Sequence, residues 1–154
     1  MNKKIDKNGF FVCDTFDKVS SVVIDVSVPS GLYLPRWNGS EWVEGKKESE
    51  LLEIKLNSMM ISISLAVQKM LDDKALEKGF NDLKSGSHMD RAVTYAGYDN
   101  VFKDDALTLA SWRSAVWLDL ETKMNSGEYD LNTLTVDFVL NTIVTYEEYV
   151  SGSD

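Results

Sequence analysis

The sequence predicts an α+β fold: a small N-terminal β module with a Trp hairpin, then a long helix suited to a coiled coil, then a C-terminal helical domain. Three observations predict it. β-branched and aromatic residues alternate with turn formers over the first 45 positions. From Glu50 to Lys78 there is neither proline nor glycine. A second such stretch runs from Asp104 to Met124. The expected pieces are 1–45, the β module; 46–79, an oligomerising helix; and 80–154, a helical domain.

Within the β module, Gly9–Cys13 is a short apolar run, and Ser21–Val28 is rich in β-branched residues and ends at Pro29 and Gly31. Both read as strands. In Leu32–Glu44 the pair Asn38-Gly39 favours a two-residue type I′ turn. That register sets Trp37 across from Ser40 and Trp42 one diagonal step away on the same face. The two indoles then hold a small hairpin together. A stacking platform for sugars or bases is the sharper alternative, but no basic groove accompanies the tryptophans.

A charged connector, Gly45–Glu50, leads into the long helix, and Gly79 stands where a C-terminal capping glycine belongs. Leu52, Leu56, Met59, Ile63, Ala66 and Met70 follow one another at alternating spacings of 4 and 3, a heptad seam. Ile54, Ile61 and Leu65 make a second apolar line, and Met60, Val67 and Leu71 a third. A helix apolar nearly all round needs several neighbours, within the chain or across an interface in a homodimer or homotrimer.

Residues 80–103 read as a loop and a short helix, with His88 expected to be exposed in the loop. Gly86-Ser87-His88-Met89 matches the remnant that tag cleavage leaves, yet it lies inside the chain and is read as native. In the second long helix Leu109, Trp112, Val116 and Leu120 share one face, and Trp117 sits about 140° from Trp112. One core stripe does not hold both indoles, so either the helix is packed on two sides or one indole anchors a partner. Arg113 is placed to lie along Trp117 or to pair with a carboxylate of a neighbouring element. Asn132 or Thr133 is expected to cap a third helix carrying Leu134, Phe138, Val139 and Ile143. Tyr146–Asp154 reads as a loose tail, or as a strand added to a partner.

Composition narrows the function. The chain has 154 residues, 44% hydrophobic and 27% charged, which is enough for a real core. It has no apolar run long enough to span a bilayer and no signal-like segment after Met1, so a cytoplasmic protein without a membrane is expected. One cysteine, Cys13, and one histidine, His88, make neither a disulfide nor a Cys/His metal site. A net charge of −9 opposes direct binding to nucleic acid, though it suits a basic partner. Phosphate-binding loops, zinc-binding helices and calcium loops are absent, and the pairs Asp72-Asp73, Asp104-Asp105 and Glu147-Glu148 diverge on a helix. No catalytic, cofactor-binding or metal residues are assigned, and no enzyme is expected.

Three segments carry a family resemblance. "GLYLPRWNGSEWVEG" (31–45) resembles a hairpin module of proline, tryptophan, turn and Trp-Val-Glu. "VQKMLDDKALEKGFNDL" (67–83) supplies Leu71, Asp72, Ala75, Gly79 and Phe80. "YAGYDNVFKDDALTLASWRSAVW" (95–117) supplies Tyr95, Ala96, Phe102, Ala106, Trp112, Arg113 and Trp117. Together they resemble bacteriophage and prophage tail proteins described as tail-fibre or tail-assembly accessory proteins. The chain departs from that pattern between Ser85 and Ala92, where it has extra residues, and near 133, where relatives often have a proline before the last helix.

The resemblance implies a non-enzymatic structural or assembly component that binds a tail-fibre or baseplate protein. It would be located in the host bacterial cytoplasm during assembly and then in the virion tail. The seam Leu52 to Met70 is the expected oligomer interface, and Trp112, Arg113, Trp117, Trp37 and Trp42 are the expected partner-binding residues. The alternatives are a small acidic phage inhibitor of a host nucleic-acid-binding defence complex and a tail-fibre chaperone absent from the virion.

Overall fold

A computed structural model describes residues 1–16, 23–81, 86–131 and 133–152. The fold is α+β, with antiparallel strands at the N-terminal end followed by a long helix and further helices. The chain divides into two compact units, Met1–Lys55 and Leu56–Asp154, where three pieces were expected. Much of the long helix, read from sequence as a piece of its own, belongs to the C-terminal unit.

In the N-terminal unit, β1 (Asn2–Ile5), β2 (Phe11–Thr15) and β3 (Val23–Ile24) form an antiparallel sheet in the order β2-β1-β3. The turn after β1 is closed by Asp6, whose carboxylate accepts the N–H groups of Asn8 and Phe10 at 2.8 and 2.9 Å. β1 was not expected, because its lysines disguise it. Paired at the centre of the sheet, Lys3 reaches Asp14 on β2. The strand expected over Ser21–Val28 is seen as Val23–Ile24, and Ser21 and Val22 lie outside the described residues.

β4 (Pro35–Trp37) and β5 (Trp42–Glu44) make the tryptophan hairpin, with one correction. Trp37 pairs directly with Trp42, not with Ser40. A type I′ turn requires positive φ at both central residues, and of Asn38-Gly39 only Gly39 has it. Asn38 instead uses its side-chain Oδ1 to accept the N–H groups of Ser40 and Glu41, both at 2.9 Å, which stabilises a longer loop. The indoles meet edge to face with centroids 5.5 Å apart. Trp42 is buried, and its N–H donates to the Val26 carbonyl at 2.9 Å.

The helix α1 spans Glu48–Glu77. Its last turn closes as a Schellman motif: Phe80 N–H reaches the Ala75 carbonyl and Gly79 N–H that of Leu76, with Gly79 at φ 92°. Three helices follow in the C-terminal unit after the turn: α2 (His88–Ala96), α3 (Lys103–Ser126) and α4 (Val136–Thr142). A last short helix, α5, covers Tyr146–Ser151.

The core of this unit gathers Ile63, Val67, Leu71 and Ala75 of α1 against Leu109, Trp112, Val116 and Leu120 of α3. Met89, Ala92, Val139 and Ile143 are among the further residues that join it. His88 is not an exposed loop residue. It opens α2 half-buried, with Nδ1 2.9 Å from the Phe80 carbonyl oxygen, and Ser87 before it caps the helix. Helix α4 is capped by Thr135, neither by Thr133 nor by Asn132, the latter outside the described residues.

The expected loose tail is helical because Thr145 and Glu148 form a capping box. The Glu148 carboxylate accepts the Thr145 N–H at 2.9 Å, and the Thr145 hydroxyl accepts the Glu148 N–H at 3.2 Å. The Thr145 backbone and hydroxyl hydrogen bonds hold the Glu148 carboxyl below its usual 4.5. Its neighbour Glu147 is lowered by the hydrogen bond from Lys74 on α1. Carboxyls with lowered folded values stabilise above the unfolded value and lose that contribution as pH falls through the folded one. Acidification below 4.5 is therefore expected to fray α5 first, seen as faster amide exchange at Tyr149 and Val150 than in α3. Replacing both Glu147 and Glu148 with glutamine flattens that dependence, and a pH response unchanged by the double substitution would count against this origin.

Candidate docking surface

The heptad seam read from the sequence does not stay together. Ile63 is fully buried inside its own chain, whereas Leu52 is 46% exposed and Leu56, Met59, Ala66 and Met70 are half-buried. Ile63 therefore serves the core and presents nothing to a partner. The line that α1 turns inward is Ile63, Val67, Leu71 and Ala75, each four residues from the next. An i, i+4 row winds about 40° round the helix at each step, so this line shares only Ile63 with the heptad seam.

Trp112 also belongs to the interior. Its indole is 1% exposed, its N–H donates to the Val144 carbonyl at 3.1 Å, and the Tyr146 ring stands edge-on at 5.4 Å. Trp112 is thus corrected from a candidate partner residue to a core residue. Of the two readings for Arg113, the ion pair is the one seen, with Nη1 3.6 Å from the Asp90 carboxylate on α2. Trp117 is half-buried at the edge of the core. Trp37 and Trp42 pack on each other in the N-terminal unit.

What the C-terminal unit leaves uncovered lies elsewhere. Ile61 and Leu65, one turn apart on α1, are 62% and 67% exposed. They point away from the inward line, since Ile63 lies about 200° round the helix from either. Beside them a groove of about 610 Å³ runs between α1 and α3, floored by Leu56, Met60, Trp117, Leu120 and Met124, with Leu131 at one end. Ser64, Glu121 and Asn125 are the polar side chains that line it. No residue between Lys55 and Lys69 is charged.

A second apolar surface lies where α2 meets α3. Phe80, Tyr95 and Phe102 make mutual edge-to-face contacts at 5.9 to 6.4 Å. Val101 beside them is 91% exposed. The Arg91 guanidinium lies 4.8 Å from the centre of the Tyr95 ring, so the cluster already holds a cation. Sequence reasoning missed this corner because Phe80 and Phe102 belong to different turns, and only Tyr95 and Tyr98 are local neighbours.

The arrangement is apolar contact surface bordered by isolated charges. Comparison with known protein families, with curated protein sequences and with solved structures returns no match. Among the described residues no group of three His, Cys, Asp or Glu side chains is placed to hold a metal ion, and no helix is long and apolar enough to cross a membrane. The side chains named above supply shape and apolar area.

Proposed function

We propose that this chain is a non-enzymatic bacteriophage tail protein, a structural or assembly component that docks onto a tail-fibre or baseplate protein. The observation that carries the reading is the uncovered apolar pair Ile61 and Leu65 beside an open apolar groove, on a helix whose inner line already fills the core. Single exposed apolar residues are ordinary, but a contiguous patch with its own groove marks a contact site. The resemblance over about residues 30–125 supplies the biological setting. The host cytoplasm during assembly, and then the virion tail, are the proposed locations.

Mass spectrometry of purified tail particles from the source tests this. Peptides of the chain, such as the one ending at Arg113, are expected at a level stoichiometric with other tail proteins. Absence from the particle, with the protein abundant in infected cells, overturns the resident role in favour of a chaperone or a host-directed inhibitor. Those two separate by salt: an acidic inhibitor holds a basic host protein through contacts that weaken as ionic strength rises.

A further inference from the structure

We infer that the groove between α1 and α3 receives a basic amphipathic helix of another protein, with its apolar stripe on the groove floor and a lysine or arginine against Glu121. The inference rests on the reading of the chain as a docking protein and names the chemistry of the partner segment. Every side chain it places at the groove lies within Leu56–Asp154.

The walls set the size and form of the occupant. On α1 the groove is lined by Leu56, Met60 and Ser64, and on α3 by side chains from Trp117 to Asn125. Each wall is about 12 Å long, a little over two helical turns. Both walls are helices whose backbone N–H and C=O groups bond to one another, so the floor offers an incoming backbone no partners. An extended segment would leave its own backbone groups unmet there. A helix satisfies them internally and presents apolar side chains at i, i+3 or i+4, and i+7, a spacing that fills two turns. Met60 and Met124 suit the receiving side, because unbranched thioether chains adjust to the shape that enters.

Charge selects among such helices. Acidic residues outnumber basic ones two to one in Leu56–Asp154 and nearly balance them in Met1–Lys55, so the net charge of −9 belongs almost wholly to the unit that carries the groove. The cations of α1 and α3 within that unit are already paired: Lys69, Lys74, Lys103, Arg113 and Lys123 each meet a carboxylate. α1 contributes no charge between Lys55 and Lys69. Among the described residues Glu121 is the one charged side chain that lines the groove; it is exposed on the α3 wall and pairs with no described cation, and Asn125 follows it one turn on. An acidic helix, or a second copy with the same surplus of carboxylates, meets repulsion there and finds no cation. A basic helix is steered toward the unit and closes an ion pair with Glu121 as its apolar stripe is covered.

The test is a titration of the intact protein, at physiological ionic strength, with a peptide of leucine and lysine that has its leucines at helical spacing and no tryptophan. A length of about 15 residues allows it to become helical on binding. Calorimetry reads the affinity, and a blue shift in emission that is lost in Trp117→Phe places the peptide in the groove, since Trp117 lines it. Glu121→Lys should keep the helical circular-dichroism spectrum, because the side chain is exposed, and weaken the leucine–lysine peptide about fivefold or more. The same variant should gain affinity for a leucine–glutamate peptide, which the wild type refuses. Val101→Asp, on the other apolar surface of this unit, should change neither titration. A wild type that does not bind the leucine–lysine peptide overturns the inference, as does one that binds the leucine–glutamate peptide equally well, or binding indifferent to Glu121→Lys. A wild type that sediments at twice the 17.3 kDa chain mass and must dissociate before the peptide binds assigns the groove to a second copy, and overturns it too. Peptide binding by a chain absent from tail particles sinks the tail reading alone, whereas a chain stoichiometric in them whose groove refuses the peptide sinks this inference alone.

Discussion

Trp112→Ala is expected to lower the unfolding free energy of the C-terminal unit by about 3–5 kcal/mol. The indole is buried between α1 and the segment entering α5, so its removal leaves a cavity lined by side chains anchored on several helices, which cannot collapse together. The Val144 carbonyl also loses its donor, and the Tyr146 ring loses the face it stands against. Against a total stability of about 5–15 kcal/mol for an ordinary domain, the loss is large enough to populate unfolded chains. Urea titration followed by far-ultraviolet circular dichroism measures it, with a lowered midpoint at unchanged slope as the signature. Trp112→Phe should keep most of the packing and forfeit about 1 kcal/mol with the hydrogen bond. If the alanine variant cost no more than the phenylalanine variant, the packing role assigned to this side chain would be wrong.

The second large effect comes from two neighbours on α1 with opposite fates. Ile63→Asp is expected to unfold the C-terminal unit, whereas Ile61→Asp should leave its stability within about 0.5 kcal/mol. At 63 the substitution removes a fully buried side chain from the core and puts a carboxylate there with no cation among its core neighbours. The combined cost is at least about 4 kcal/mol. At 61 the new carboxylate stands in water. Thermal melts of the two variants decide the matter: equal midpoints would mean that the inward line of α1 has been misplaced by two residues.

That contrast also shows where the sequence was readable. The buried face of α3 was legible because Leu109, Trp112, Val116 and Leu120 recur at the helical period. On α1 apolar residues occupy nearly every face, so periodicity alone does not choose among three lines. The choice came from what α3 presents, a long-range fact. Gly79 announced the end of α1, because only the sequence of a left-handed cap was needed. β1 was hidden because Lys3 and Lys4 make it locally unlike a strand, and it is held by partners on both sides. Asp6-Lys7-Asn8-Gly9 was the available signal, a turn of the same chemistry as Asn38-Gly39. Likewise the capping box Thr145-x-x-Glu148 is the signal for α5 that the reading as a tail passes over, because a helix this short has no apolar spacing to stand out.

The candidate surface was half legible. Ile61 and Leu65 were visible as a line, but the line chosen as the interface was a different one, and Ile63 on it turned inward. The groove could not be read at all, since Met60 and Met124 are brought together only by the packing of α1 on α3. Trp112 and Trp117 illustrate the same limit. Their angular separation showed that they face different surroundings, and the fold then decided which one is enclosed.

The tryptophans have a further consequence, an optical one. The N-terminal unit holds two indoles edge to face at 5.5 Å, close enough for their transitions to couple as an exciton pair. The C-terminal unit holds the other two, one enclosed and one at a groove edge. Each unit therefore carries its own chromophores: a circular-dichroism couplet reports the hairpin, and emission wavelength reports the helical core. The loosening of one can be followed in the intact chain without attaching a label to either.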